Sequence, residues 1–203
     1  MATDGATIVY NHSCCLACWL ESEFNYLGNW WIVALALLQP HVCVFPFRIT
    51  SGDKKMPLFI TGSAIFFNLF NGGFNGYYLA ELSSYNAEWL TSWQFVVGLL
   101  LFVLGFAINF WSDEILRNLR KPGETGYVIP HGGLFKYISA PNLFGEIIEW
   151  TGFAILAWSL PATSFAIWTF ANLVPRAVAH HKFYLQEFTD YPKERKAVFP
   201  FVY

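Results

Sequence analysis

The sequence predicts an all-α protein, a polytopic bundle of transmembrane helices with five or six spans. Two observations lead to this fold class. Hydrophobic residues make up 55% of the 203 residues and charged residues only 13%, about half the share typical of soluble domains. Five stretches also approach the roughly 20 mostly apolar residues that a membrane-spanning helix needs. They are residues 27–47, 57–80, 94–112, 140–158 and 161–185.

Individual spans differ in the residues that would shape them. Pro40 lies in the first stretch and Pro175 in the fifth, where each would kink a helix. The second stretch contains Asn71-Gly72-Gly73, which permits a close helix approach or a bend. Residues 14–26 contain a broken apolar run that would supply the sixth, short span. The C-terminal 190–203 is polar and then apolar, which predicts that it docks on the bundle or at the membrane interface.

The positive charges predict the orientation of the bundle. All 12 Lys and Arg residues fall after the first span, after the third span, or at the end of the fifth span and beyond. With five spans these segments share one side, which the positive-inside rule assigns to the cytosol. The C-terminus and the basic loops are therefore expected to be cytosolic. The Lys and Arg residues of the three segments are, in chain order, Arg48, Lys54 and Lys55; Arg117, Arg120, Lys121 and Lys136; and Arg176, Lys182, Lys193, Arg195 and Lys196.

Charge and cysteine content argue against several classes of function. The formal net charge is −2, and the sequence has no basic stripe of the kind that nucleic acid binding requires. Cys15 and Cys18 form a lone C-x-x-C without the second ligand pair of a zinc site, so no metal is predicted. The first 47 residues contain no Lys or Arg, unlike a signal peptide. Membrane targeting is then expected to come from the spans themselves.

Three of the predicted spans carry ladders of polar residues near their cytosolic ends. Residues three or four apart share a helix face, and polar residues inside membrane spans are usually functional. The ladders predict one water-accessible pocket that opens to the cytosol; the alternative is a set of helix-end anchors and salt bridges. Their members are Asn109, Asp113, Arg117 and Arg120; Asn142, Glu146 and Glu149; and Arg176, His180 and Tyr184.

The chemistry of these ladders suits a ligand with phosphate and ribose groups. Arg, Asn and Tyr donors stand together with carboxylates, which can bind phosphate oxygens and sugar hydroxyls. The sequence contains neither a G-x-G-x-x-G fingerprint nor a Walker loop. A dinucleotide would therefore be held by side chains within the helix bundle. His180 and His181 point about 100° apart on a helix, so they are not expected to form a metal-binding pair.

Two long segments resemble the C-terminal region of the steroid 5-alpha-reductase family. They are NFWSDEILRNLRKPGETGYVIPHGGLFKYISAPNLFGEIIEW and PRAVAHHKFYLQEFTDYPKERKAVFPFVY. The resemblance covers about residues 54–203 and is densest from Gly105 onward. This family has seven transmembrane helices, in the endoplasmic reticulum or, in bacteria, the cell membrane. It reduces the 4,5 double bond of 3-oxo-4-ene steroids with NADPH, so the resemblance implies this cofactor, location and substrate class.

The resemblance also implies which residues bind NADPH. The family elements N-x-x-x-D, the basic loop after it, N-x-x-G-E and R-x-x-x-H-x-x-x-Y all have matches here. The residues that match these four elements are, in the same order, Asn109 and Asp113, Arg120 and Tyr127, Asn142 and Glu146, and Arg176, His180 and Tyr184. Arg117, Lys54 and Lys55 are further candidates for phosphate binding.

The family's substrate carbonyl is held by a Glu and a Tyr from the N-terminal half. The Glu stands four residues after a Trp, which makes Glu23, four residues after Trp19, the expected catalytic residue. The Tyr precedes a His-Arg pair, whereas this chain reads LLQPHVCVFPFRI and lacks both the Tyr and the Arg. Residues 1–45 are accordingly expected to be divergent, an alternative transcript or a misread gene start.

The resemblance implies a divergent N-terminal segment, 1–26, and a transmembrane reductase domain, 27–203. The C-terminal half of that domain, about 105–203, would bind NADPH. Three functions stay open. The chain reduces 3-oxo-4-ene steroids, or it reduces another lipid alkene such as an enoyl-CoA, a polyprenal or a sterol, or it is an inactive relative that still binds NADPH. Expected partners are a steroid or other lipid enone and membrane lipid; the sequence does not determine the oligomeric state.

Overall fold

The computed structural model describes residues 58–119 and 127–202. Within these ranges the chain is helical and forms no strand, and an isolated parallel bridge joins Ile138 to Lys196. Short helical turns cover Tyr78–Leu82, Ala87–Thr91 and Gly133–Lys136. The long helices are α1 (Leu58–Tyr77), α2 (Trp93–Arg117), α3 (Pro141–Ala157) and α4 (Leu160–Glu187).

The all-α prediction is confirmed for the described residues. Helices α1 to α4 coincide within a few residues with four of the five predicted stretches, and the stretch 27–47 lies outside the described residues. The largest difference is at the end of α2, which continues to Arg117 rather than ending at residue 112. Apolar content marks how far a span extends, whereas a helix continues through polar residues such as Asp113.

The number of membrane spans stays a prediction. In the described part of the chain, α2 alone is long and apolar enough to cross a membrane, judged by length and composition. Helix α3 has 17 residues, slightly fewer than a perpendicular span needs. The described helices therefore include one candidate membrane span.

The chain divides into two compact units, Met1–Trp89 and Leu90–Tyr203. In the first unit, α1 carries a row of exposed aromatic rings four residues apart, Phe66, Phe70 and Phe74. Their successive ring centres are 4.4 Å and 6.1 Å apart. Spacing of four residues places side chains on one helix face, so this row forms a continuous aromatic edge on α1.

Four glycines determine how α2 packs against α3 in the second unit. Gly98 and Gly105 lie seven residues apart on α2, as do Gly145 and Gly152 on α3, so each pair shares a helix face. A Cβ atom on Gly105 would lie 2.6 Å from the carbonyl oxygen of Gly145, and one on Gly152 would lie 2.7 Å from that of Gly98. The two backbones are therefore in direct contact. Because Gly98 meets Gly152 while Gly105 meets Gly145, the helices run antiparallel.

The C-terminal segment, residues 188–202, folds back on the second unit. Val198 is 0% exposed and belongs to a core cluster with residues of α3 and α4, including Ile147 and Ala177. The ring of Phe199 meets the ring of Phe144 edge-on, with centroids 5.9 Å apart. The predicted docking of this segment on the bundle is thus confirmed.

Candidate functional site

The polar ladders of α2 and α3 meet directly beyond the Gly105–Gly145 contact. Asn109, 4% exposed, donates a hydrogen bond from Nδ2 to the carbonyl oxygen of Asn142 at 3.1 Å. Asn142 in turn donates from Nδ2 to Oδ1 of Asp113 at 3.2 Å. These three residues, here called the amide–carboxylate cluster, include one amide that bonds to backbone and another that bonds to a carboxylate.

The glycine packing explains why such short side chains reach across from one helix to the other. Helix axes normally lie 8–10 Å apart, and small residues at an interface let backbones approach more closely. The amide of Asn109 reaches the main chain of α3 because Gly145 leaves no side chain between them. The contact thus combines glycines in one turn, which bring the two backbones together, with amides in the next turn, which bond across it.

Two glutamates of the α3 ladder lie in different surroundings. Glu149 is 1% exposed, and its main chain packs against Gly105. Glu146 is half-buried. Two carboxylates one helical turn apart would repel each other in a common environment. Here one is enclosed in the contact between α2 and α3, and the other remains accessible to a ligand.

The third ladder lies on α4. Arg176 and His180 are exposed, whereas Tyr184 is half-buried. The ring of Tyr184 stacks on the ring of Tyr191 in the C-terminal segment, with centroids 5.3 Å apart and an angle of 2° between the planes. Exposed cationic and imidazole groups next to a fixed phenol can bind a ligand with negative charge and aromatic surface.

Tyr127 reaches the same helix from the loop that precedes α3. It is 58% exposed, and its ring meets that of Phe183 edge-on at 4.6 Å. The described hydrogen bonds thus join the first two ladders, while the third contacts the 127–140 loop and the C-terminal segment. That all three line one pocket stays a prediction.

Four of the predicted residues lie outside the described residues, namely Glu23, Lys54, Lys55 and Arg120. Arg117 is described and forms an ion pair with the carboxylate of Glu114 on the preceding turn. A phosphate at Arg117 would therefore compete with this carboxylate.

Sequence reasoning missed a polar network that connects three separate segments. The hydroxyl of Ser139 lies 2.6 Å from Nδ1 of His181 and 2.7 Å from the hydroxyl of Tyr191. Arg195, in the C-terminal segment, donates to the carbonyl oxygen of Pro130 at 3.0 Å. These residues share no helical spacing, so periodicity could not have found them. The two adjacent histidines differ as helix geometry predicts, since His181 faces the network and His180 faces outward.

Comparisons with known proteins point to one family. The family model described as 3-oxo-5-alpha-steroid 4-dehydrogenase matches residues 54–203. The protein named 3-oxo-5-alpha-steroid 4-dehydrogenase 1 of Bos taurus is 50% identical over 159 residues, which are 78% of this chain and 62% of the relative. The type 1 protein of Homo sapiens is 47% identical over 164 residues, or 80% and 63% of the two chains. The type 2 protein of Homo sapiens is 46% identical over 159 residues, or 78% and 63%.

The chain therefore spans 62% to 63% of the length of these three relatives. The matched region contains all four described long helices and the amide–carboxylate cluster. Because the family match extends over well more than half of the sequence, this chain belongs to the 3-oxo-5-alpha-steroid 4-dehydrogenase family.

Proposed function

We propose that this chain is a membrane-bound, NADPH-dependent reductase of the 4,5 double bond of 3-oxo-4-ene steroids. The observation that carries the proposal is the amide–carboxylate cluster. Asn109, Asp113 and Asn142 stand at the positions that resemble the family's cofactor elements, and hydrogen bonds already hold them together. The name shared by the relatives, 3-oxo-5-alpha-steroid 4-dehydrogenase, supports the choice of substrate class.

The described residues fit NADPH by the chemistry of their donors and acceptors. The cluster offers amide and carboxylate groups of the kind that bind ribose hydroxyls or a carboxamide. Arg176 is exposed on α4, and a guanidinium binds phosphate with two parallel hydrogen bonds. Tyr184 adds a phenol whose ring is held flat against Tyr191. This set matches a ligand that combines phosphates, sugars and aromatic rings.

Bound NADPH would supply a hydride to the carbon beta to the substrate's carbonyl, and a proton from water would complete the reduction at the alpha carbon. The protein's task is to hold the reactants in register and to stabilise the negative charge that develops on the carbonyl oxygen. We assign Asn109, Asp113, Asn142 and Glu146 to orienting the cofactor, and Arg176 to its phosphates. The remaining residues that we propose to contact the cofactor are Arg120, Tyr127, His180 and Tyr184.

Glu23 is the proposed hydrogen-bond donor to the substrate carbonyl. A carboxyl group in apolar surroundings favours its protonated form, which can donate such a bond. The family's Tyr has no match in LLQPHVCVFPFRI. In this proposal Glu23 polarises the carbonyl without that second donor.

We further propose that the chain spans the endoplasmic reticulum membrane five or six times, or the cell membrane in a bacterium. The apolar helix α2 and the grouping of all Lys and Arg residues into three segments support this topology. The C-terminus and the basic loops would face the cytosol. The cofactor ladders end on the same side, so NADPH would enter from the cytosol.

The test is turnover of progesterone or testosterone with NADPH by membranes that contain the full chain, with products identified by mass. We expect a 5-alpha-dihydro product, and we expect Glu146→Gln to raise the KM for NADPH about tenfold or more, since a hydrogen bond to a charged group contributes about 1.5–3 kcal/mol. Glu187→Gln, an exposed carboxylate at the end of α4, is the matched control.

Three outcomes would contradict different parts of the proposal. An inserted chain that binds NADPH but forms no steroid product would exclude the substrate and leave another lipid alkene or an inactive relative. A chain without measurable NADPH binding would overturn the cofactor assignment. Glu23→Gln with unchanged turnover would remove only the proposed role of Glu23.

A further inference from the structure

A buried hydroxyl lies where three segments of the second unit meet. Ser139 lies two residues before the first residue of α3 and is 3% exposed. Its Oγ lies 2.6 Å from His181 Nδ1 on α4 and 2.7 Å from the Tyr191 hydroxyl, and it lies 3.2 Å from the carbonyl oxygen of Lys196 in the C-terminal segment. The serine thus connects the start of α3, the end of α4 and the C-terminal segment at one point.

The chemistry of a hydroxyl restricts how these contacts are made. A serine hydroxyl has one proton to donate and two lone pairs that accept, and a carbonyl oxygen only accepts. All three contacts are satisfied when Ser139 donates to the Lys196 carbonyl and accepts from the Tyr191 hydroxyl and from His181 Nδ1–H. Removing either of these donors would leave a buried lone pair without its partner, which costs more than the mean value of a hydrogen bond.

Main-chain hydrogen bonds support the same junction. The Ser139 amide donates to the Lys196 carbonyl at 2.8 Å, and the Lys196 amide donates to the Tyr137 carbonyl at 2.9 Å. Arg195 lies with its guanidinium 5.1 Å from the ring centre of Tyr191. The C-terminal segment is therefore fastened to the loop before α3 by backbone and side-chain contacts together.

This junction adjoins two of the residues assigned to NADPH. Tyr191 is 3% exposed, and its ring lies parallel to that of Tyr184. A fixed hydroxyl on Tyr191 consequently fixes the plane against which Tyr184 packs. Ser139 also stands three residues before Asn142, which lies in the first turn of α3. The position of Ser139 therefore sets where α3 begins and, with it, where the side-chain amide of Asn142 lies.

We infer that Ser139, His181 and Tyr191 are positioning residues for the cofactor, which hold Tyr184 and the start of α3 in the geometry that binds NADPH. They act on affinity for the cofactor and leave the chemical step unchanged. The inference rests on the proposed function. It assigns a role to residues that contact one another and support the residues proposed to touch NADPH.

The test compares Tyr191→Phe with Tyr137→Phe in the full chain. Tyr191→Phe keeps the stacked ring and removes only the hydroxyl, while Tyr137 lies in the same region with its ring partly exposed. The Kd for NADPH, measured by its fluorescence on binding, is expected to rise about fivefold for Tyr191→Phe, as loss of one buried hydrogen bond predicts. Tyr137→Phe is expected to stay within about twofold. At saturating NADPH, kcat is expected to be unchanged for both.

A second pair of variants tests the same inference at His181. Asn places its side-chain nitrogen near the position of His Nδ1, so His181→Asn is expected to keep the Kd within about twofold, while His181→Leu raises it about fivefold. This pair decides the question even where Tyr191→Phe accumulates too little protein to measure. Thermal unfolding without NADPH is recorded for every variant.

Two results for Tyr191→Phe would overturn the inference. One is a Kd for NADPH equal to that of the unaltered chain, whether or not the Tm of the unliganded protein falls. The other is a lower kcat with the KM for NADPH unchanged. Absence of NADPH binding by the unaltered chain would overturn the proposed function and this inference with it. Normal binding by the unaltered chain and by Tyr191→Phe would overturn the inference alone.

Discussion

The contact between α2 and α3 differs in kind from the contact between α4 and the C-terminal segment. In the first, glycines bring two backbones together, and a Cβ at Gly105 or Gly152 would lie less than 3 Å from a carbonyl oxygen. In the second, side chains meet: the Tyr184 and Tyr191 rings stack, and the hydroxyl of Ser139, from the loop before α3, bonds to both His181 and Tyr191. Both contacts hold residues that we assign to the cofactor.

The two contacts should therefore respond differently to substitution. A backbone contact has no rotamers with which to relieve a clash, so added volume must separate the helices. A contact between side chains can accept a new shape, provided that the buried polar atoms keep their partners. Volume is therefore the critical property between α2 and α3, whereas hydrogen bonding is the critical property around Ser139.

The largest effect is expected from Gly105→Ala. The new methyl group would meet the carbonyl oxygen of Gly145 and the main chain of Glu149, and neither can rotate away. Separation of the helices would also stretch the hydrogen bond from Asn109 to Asn142. We expect a loss of about 3 kcal/mol in the free energy of unfolding, measured by thermal unfolding of the purified full chain in detergent.

Gly73→Ala is the matched control for that substitution. Gly73 is an exposed helical glycine on α1, and no described atom lies within 4 Å of the position that a Cβ atom would occupy there. Alanine favours a helix over glycine by about 1 kcal/mol, so this variant should be no less stable than the unaltered chain. Equal stability of the two alanine variants would show that direct backbone contact is not required.

A smaller effect is expected when charge rather than volume changes at the same contact. Asn142→Asp would replace a donated hydrogen bond, 3.2 Å long, with repulsion between two carboxylates, because Asp113 accepts that bond. We expect the Kd for NADPH to rise about thirtyfold, which corresponds to the roughly 2 kcal/mol of a hydrogen bond to a charged group.

The control for Asn142→Asp is Asn172→Asp on α4. Asn172 is exposed, and its side chain bonds to the carbonyl oxygen of Trp168 in its own helix. Its replacement introduces the same charge away from the cluster, so NADPH affinity should change little. If both variants bind NADPH equally well, the amide–carboxylate cluster does not orient the cofactor.

The sequence predicts single helices of this molecule better than it predicts contacts between them. Apolar stretches located α1 to α4 because each helix needs a local run of apolar residues. Helical spacing likewise grouped Asn109 with Asp113, since both lie on α2. The bond from Asn109 to Asn142 depends on the register between two helices, which the glycines set only once the helices pack. Ser139 and Tyr191 are 52 residues apart and follow no period, so only the folded chain identifies their contact.

The smallest of these effects is expected at the C-terminal segment, where packing alone is changed. Val198→Ala removes two methyl groups from a side chain that is fully buried against Ala140 and Ile147. At about 0.8 kcal/mol for each buried carbon, the free energy of unfolding should fall by about 1.5 kcal/mol. Val202→Ala, on the same segment but 78% exposed, should unfold at an unchanged temperature. Because Val198→Ala leaves the Ser139 hydrogen bonds intact, its NADPH affinity should also remain near that of the unaltered chain. A fall in affinity as large as that of Tyr191→Phe would mean that tight packing of the segment, rather than its hydroxyl network, determines cofactor binding.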